Sequence, residues 1–196
     1  MPDRPEDSPH VKATTLGFCS AQGTRLPLQL TSFVGRDAEL AELAHLVGTA
    51  RLVTLTGAGG IGKTRLAVEV GQRVSEQFSD GVWLVDLASV ADARLVPQAV
   101  ASVLGISEQA RRPLMDVLTD SLRSRSLLLV LDNCEHLVHA CAELAQRLLQ
   151  NCPDLRILAT SREPLGVAGE TTWRVPPLGL PERRADLPSA MVAQSG

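Results

Sequence analysis

The sequence predicts an α/β fold, a three-layer sandwich whose middle is a five-stranded parallel sheet. Three observations carry that expectation. Short β-branched or apolar runs alternate with amphipathic stretches along most of the chain. One run, "LLLVL" at 127–131, is apolar at every position, as a strand covered on both faces must be. A glycine-rich stretch, "GAGGIGKT" at 57–64, joins an apolar run to an amphipathic one, where a strand turns into a helix.

Residues 1–25 have little periodicity and read as a tail or linker, and "LPLQLTSFVGRD" (26–37) reads as an extended segment. "DAELAELAHLV" places Leu40, Leu43, Leu46 and Val47 at helical spacing, with Asp37 in position to cap. "RLVTLT" (51–56) is the first strand, and Leu66, Ala67, Val70 and Val74 then mark one helix face. "GVWLVDLA" (81–88) is the second strand, followed by helices in "LVPQAVASVLG" and "PLMDVLTDSLRS". After the 127–131 strand, Leu137, Ala140, Cys141, Leu144, Ala145 and Leu148 give an amphipathic helix. "LRILAT" (155–160) and "TTWRV" (171–175) complete the five strands. The expected domain therefore spans 26–178, with an irregular tail over 179–196.

Composition narrows the function. The 196 residues are 44% hydrophobic, enough for one core, and the net charge of −3 provides no broad attraction for nucleic acid. Aromatics make up 3% with no tyrosine, which removes the usual stacking platform for single strands. No apolar stretch reaches the roughly 20 residues of a membrane span, and the polar, proline-rich N-terminus is not a secretory signal. Cys19, Cys134, Cys141 and Cys152 form no CxxC pair. A reduced, cytoplasmic protein is expected.

"GAGGIGKT" fits G-x-x-x-x-G-K-[ST]. Backbone N–H groups of Gly57, Ala58, Gly59, Gly60, Ile61 and Gly62 would turn inward around phosphate oxygens, and the helix N-terminus adds positive dipole. Lys63 would bring a point charge to the β- and γ-phosphates, Thr64 a hydroxyl ligand to Mg²⁺, and Arg65 closes the binding set. Lys63 is expected in a solvent-facing loop, and it is one of only two lysines among 19 basic residues. Such a site needs a carboxylate at the end of a neighbouring buried strand, and Asp132 supplies it with the second Mg²⁺ contact. The expected ligands are ATP or ADP with Mg²⁺.

"DNCEHLVHAC" (132–141) also has the composition of a metal site. At about 100° per helical residue, Cys134 and Cys141 share one face while His136 and His139 point nearly the opposite way. Ligands on opposite faces cannot converge on one tetrahedral zinc, so the stretch reads as the acidic end of a nucleotide site. Asn133 follows Asp132 directly, where many ATPases of this kind keep the base that polarises water. Glu135 either takes that role or is a first-turn helix acid favoured by the dipole; both readings stand.

With these pieces placed, the chain resembles the nucleotide-binding core of the STAND signal-transduction ATPases. The resemblance is to the bacterial LuxR-type, antibiotic-regulatory and cyclase-linked branch, with NB-ARC and AAA proteins more distant. It rests on "LTSFVGRDAEL", "GAGGIGKTRLA", "VWLVDLA", "LLLVLDNCEHLV" and "LRILATSREPLGVAGETTWRVPPL", in that order over about 26–178. It implies that Val34, Gly35 and Arg36 meet the adenine and ribose, and that Arg162 in "TSR" senses the γ-phosphate. It also implies a helical lid and further sensor or DNA-binding domains. The chain stops at Gly196, and "GLP" at 179–181 follows the TSR too closely to be the lid's motif. A fragment of a larger transcriptional regulator is therefore expected, with weak nucleotide affinity and slow or no hydrolysis. Protein partners or self-association would act through the missing domains, and direct nucleic-acid binding by this chain is not expected.

The rival classes are a scaffold that binds nucleotide without catalysis and a small-molecule P-loop kinase, for which "ARRPL" (110–114) is a thin lid candidate. There is no LSGGQ-like signature for an ABC ATPase and no N-K-x-D for a GTPase.

Overall fold

The structure, a computed structural model, describes residues 24–27 and 35–177. Within these, α1 (Asp37–Thr49) leads into β1 (Leu52–Thr56) and α2 (Lys63–Arg73). Next come β2 (Val82–Asp86), α3 (Val96–Leu104), α4 (Leu114–Leu122), β3 (Leu128–Asp132) and α5 (Val138–Asn151). The described chain closes with β4 (Arg156–Ser161) and β5 (Glu170–Arg174). All five strands pair in parallel, in the order β2-β3-β4-β1-β5. Elements and sheet agree with the expectation.

The alternation of side chains along each strand divides the core in two. Leu129 and Leu131 of β3 pack with Val100, Leu118, Leu144 and Leu148 from α3, α4 and α5. Leu128 and Val130 point the other way, into Leu43, Val47, Leu66 and Val70 from α1 and α2. Every residue of β3 is buried because both faces are covered, which is why its sequence shows no alternation. Burying each of these leucines contributes about 1.5–3 kcal/mol relative to exposure.

Three local details differ from the sequence reading. Asp37 does not cap α1: the N-cap is Arg36, no side chain caps it, and Asp37 is already in the first turn, where its charge suits the dipole. Arg25, read as the end of a tail, pairs with the β2 edge through Arg25 N to Val82 O (2.8 Å) and Leu84 N to Arg25 O (3.2 Å). Its neighbour Leu26 is buried in the core, so this short segment belongs to the sheet edge. Third, the chain after β3 is not one helix: Cys134–His136 forms a 3₁₀ turn and α5 starts only at Val138.

At the amino ends of the inner strands β4 and β1, two arginines tie helix ends to the sheet. Arg156 donates to Val47 O and Ala50 O at 3.0 Å each, closing the C-terminal turn of α1. Arg51 donates to Cys152 O at 2.5 Å, just past α5. Both place positive charge on orphaned carbonyls at a helix C-terminus. Among the described residues no helix is long and apolar enough to cross a membrane.

Candidate functional site

Parallel strands bring their carboxyl ends to one edge, and there the sequence-selected residues meet. The loop after β1 turns through Gly60 (φ 76°) and Gly62 (φ 94°), conformations costly for residues with a Cβ. Gly62 is the N-cap of α2, so the loop's amides and the helix N-terminus open on the same space.

Lys63 is not in a solvent-facing loop. It is the first residue of α2 and 7% exposed, and its Nζ donates back to Gly57 O (2.9 Å) and Ala58 O (3.0 Å). The ammonium is thus held over the glycine loop. Thr64 donates its hydroxyl to Asp132 Oδ1 at 3.0 Å, across 68 residues of sequence. A hydroxyl and a carboxylate oxygen at this spacing are hard-oxygen donors that fit Mg²⁺. Arg65 is half-buried in the same helix turn.

Asp132 is 2% exposed at the end of β3. Burial pushes its carboxyl above the ordinary carboxylate range; the Thr160 and Thr64 hydroxyls pull it back, and the Asp86 charge adds to the rise. Thr160, on β4 between β1 and β3, donates to the same Oδ1 that Thr64 uses and accepts from Asn133 N at 3.0 Å. Asn133 adopts the left-handed conformation (φ 62°, ψ 46°), and its Nδ2 reaches both Asp132 Oδ2 (3.2 Å) and Asp86 Oδ1 (3.0 Å).

Glu135 pairs through Oε1 with Arg162 Nε at 3.4 Å, while its Oε2 is buried with no hydrogen-bond partner among the described residues. Arg162 is mostly exposed and leans over the glycine loop: a Cβ built on Gly59 would lie 3.6 Å from its Nη2. Arg36 is buried and donates to Pro176 O at 2.9 Å, tying the entry to α1 to the chain just past β5. Gly35 takes φ 86° immediately before it. Val34, "GLP" at 179–181 and Cys19 lie outside the described residues.

The histidines and cysteines of "DNCEHLVHAC" are distributed by packing, although the helix assumed in reading them is broken at Leu137. Cys134 and Cys141 are fully buried in the core, and the Cys141 sulfur together with burial pushes the Cys134 thiol far up. His136 bonds Val90 O at 2.9 Å, and His139 is exposed beside Glu143 at 3.2 Å. Among the described residues no three His, Cys, Asp or Glu side chains are grouped to hold a metal. In the "ARRPL" stretch, the Arg112 guanidinium is engaged by Asp120 (2.5 Å) and Gln109 (3.1 Å).

Two residues of this edge, Asp86 and Thr160, were not singled out from the sequence. Their signal was present but unspecific: each stands at or next to the last position of a strand whose neighbour ends in Asp132. Only the strand order makes those ends adjacent.

Comparison with known proteins agrees with this architecture. A Mycobacterium tuberculosis protein with no function in its name is 48% identical over 151 residues, covering 77% of this chain and 38% of that protein. A second protein of that organism, provisionally named an HTH-type transcriptional regulator, is 46% identical over 142 residues, covering 72% of this chain and 16% of the relative. The chain thus spans well under half the length of these relatives. A crystal structure of a STAND protein with a tetratricopeptide-repeat sensor from Pyrococcus horikoshii superposes with a TM-score of 0.52 at 17% identity, covering 76% of this chain and 24% of that one. At that identity the likeness is one of fold. Residues 45–167, well over half of the chain, match the AAA domain family, and this chain belongs to it, as a P-loop ATPase-like domain.

Proposed function

We propose that this domain binds ATP and ADP with Mg²⁺ as the switch of a larger regulatory protein, and that it hydrolyses ATP slowly. One observation carries the reading: the buried Lys63 ammonium held over the glycine loop, beside a Thr64 hydroxyl bonded to Asp132 across the sheet. Binding requires Lys63 to exchange its two loop carbonyls for phosphate oxygens, and the loop amides to receive the rest of the anion. Thr64 and Asp132 would hold Mg²⁺, which when bound neutralises phosphate charge. Thr160 and Asn133 keep the Asp132 carboxylate aimed at that position. Gly35 and Arg36 are assigned to the base and ribose, a role supported by the tie from Arg36 to the strap beyond β5.

Glu135 is proposed to polarise water and Arg162 to meet the terminal phosphate. Asn133 cannot serve as the base, because an amide does not accept a proton near neutral pH and its Nδ2 is committed to two carboxylates. Glu135 is the acid whose partner, Arg162, leans over the loop. Slow turnover follows because the same arginine neutralises it. A regulatory rather than metabolic role is supported by the name of the relative that shares 46% identity. The test is titration calorimetry of the full chain with ATP and ADP, with and without Mg²⁺, together with mass-spectrometric identification of any nucleotide that co-purifies. Micromolar, Mg²⁺-dependent binding of both is expected; binding of neither nucleotide would refute the reading.

A further inference from the structure

We infer that Asp86 is a positioning residue of this site: through the Asn133 carboxamide it fixes the orientation of the Asp132 carboxylate. The inference rests on the nucleotide reading above and extends it to a residue outside the glycine loop and the β3 carboxylate. Asp132 divides its two oxygens between different partners. Oδ1 accepts the hydroxyls of Thr64 and Thr160, and Oδ2 accepts Asn133 Nδ2. That Nδ2 has two hydrogens, and Asp86 Oδ1 takes the second at 3.0 Å. Turning the amide over would point its carbonyl oxygen at two carboxylates, so Asp86 reinforces the orientation in which Asn133 donates to Asp132.

Asp86 is itself fixed. It ends β2 in register with Asp132 on β3, and its Oδ1 also accepts Ala88 N at 2.9 Å. The Asn133 backbone is fixed as well, since its left-handed turn is locked by Asn133 N to Thr160 Oγ1. The bond from Ala88 N closes a local turn, but it does not account for placing an acid beside Asp132. Asp86 is exposed, makes no ion pair among the described residues and raises the electrostatic cost of the buried Asp132 beside it. An acid in that place is explained by what it does to the amide, and through the amide to the carboxylate that would hold Mg²⁺.

The test measures ATP affinity of the full chain by calorimetry in excess Mg²⁺ and in EDTA; the ratio of the two is the gain from Mg²⁺. Asp86→Ala and Asn133→Ala should each reduce that gain about three- to ten-fold, the worth of a hydrogen bond to a charged group near solvent. Affinity in EDTA should stay close to the wild type for both variants; the melting temperature should stay close for Asp86→Ala and fall for Asn133→Ala, because alanine is strained in the left-handed turn. Asp86→Asn, which retains an acceptor oxygen, should recover part of the gain. Because Asp86 acts through Asn133, the double variant should lose no more than Asn133→Ala alone. An unchanged gain in Asp86→Ala, additive losses in the double variant, or equal loss with and without Mg²⁺ would each overturn the inference. Asp132→Ala run in parallel separates the two levels: if it keeps the full gain, the nucleotide reading fails, whereas loss there without loss in Asp86→Ala sinks only the positioning role.

Discussion

Replacing Lys63 with alanine should separate binding from folding. The ammonium makes two hydrogen bonds to loop carbonyls and no ion pair among the described residues. Deleting it forfeits those bonds but also removes a buried, unpaired charge, and the freed carbonyls of Gly57 and Ala58 lie where water can reach them. The two effects oppose each other, so stability should change by no more than about 1 kcal/mol in either direction, a melting shift of roughly 2–4 °C for a chain of this size. Binding has no such compensation. A hydrogen bond to a charged group is worth about 1.5–3 kcal/mol, which is about 10- to 150-fold in affinity. Part of that is already spent on leaving the two carbonyls, so a loss in the lower half of the range is expected for both ATP and ADP. Lys63→Arg should not rescue binding, because a planar guanidinium fits poorly between two carbonyls arranged for an ammonium. Calorimetry beside a thermal melt reads both quantities on one preparation. An ATP affinity within about threefold of the wild type would refute the assignment of the loop.

Three other perturbations follow from the same geometry. Asp132→Asn should abolish the Mg²⁺ dependence of binding, lose the bond from Asn133 Nδ2 and change how stability depends on pH. Because burial raises the folded-state pKa, the stability contributed by Asp132 is full below its unfolded pKa and is lost as pH rises through the folded value. The variant's melting temperature relative to the wild type should therefore rise from acid pH to neutrality, and a relative fall over that window would contradict the sign. Arg156→Ala should cost about 1–2 kcal/mol by uncovering the last carbonyls of α1, with nucleotide affinity unchanged because Arg156 lies at the amino end of β4, away from the carboxyl ends that form the site; a thermal melt and one ATP titration check both. Glu135→Gln should lower phosphate release about 10²-fold with ATP affinity nearly intact, and unchanged release would leave Glu135 as a first-turn acid only.

Much of the fold could be read along the chain because it depends on local patterns. The apolar run of β3, the 3.6-residue stripes of α2 and α5 and the glycine loop each follow from residues within one or two turns of each other. The glycine turn and the burial of Asp132 at a strand end could be placed for the same reason, since each depends on a short stretch. The burial of Lys63 could not, because it depends on the side chain folding back over carbonyls whose positions the glycine conformations set. Nor could the site's second tier. Thr160 meets Asp132 only because β4 lies between β1 and β3, and Asp86 meets Asn133 only because β2 lies outside β3 in matching register. Strand order is the sum of many weak packing choices over the whole core, and no single stretch encodes it. The sequence by itself thus determined which polar groups gather at the strand ends proposed to bind phosphate; the tertiary structure decided which of them touch, because hydrogen bonds across 28 to 68 residues are formed by the sheet and not by the segment.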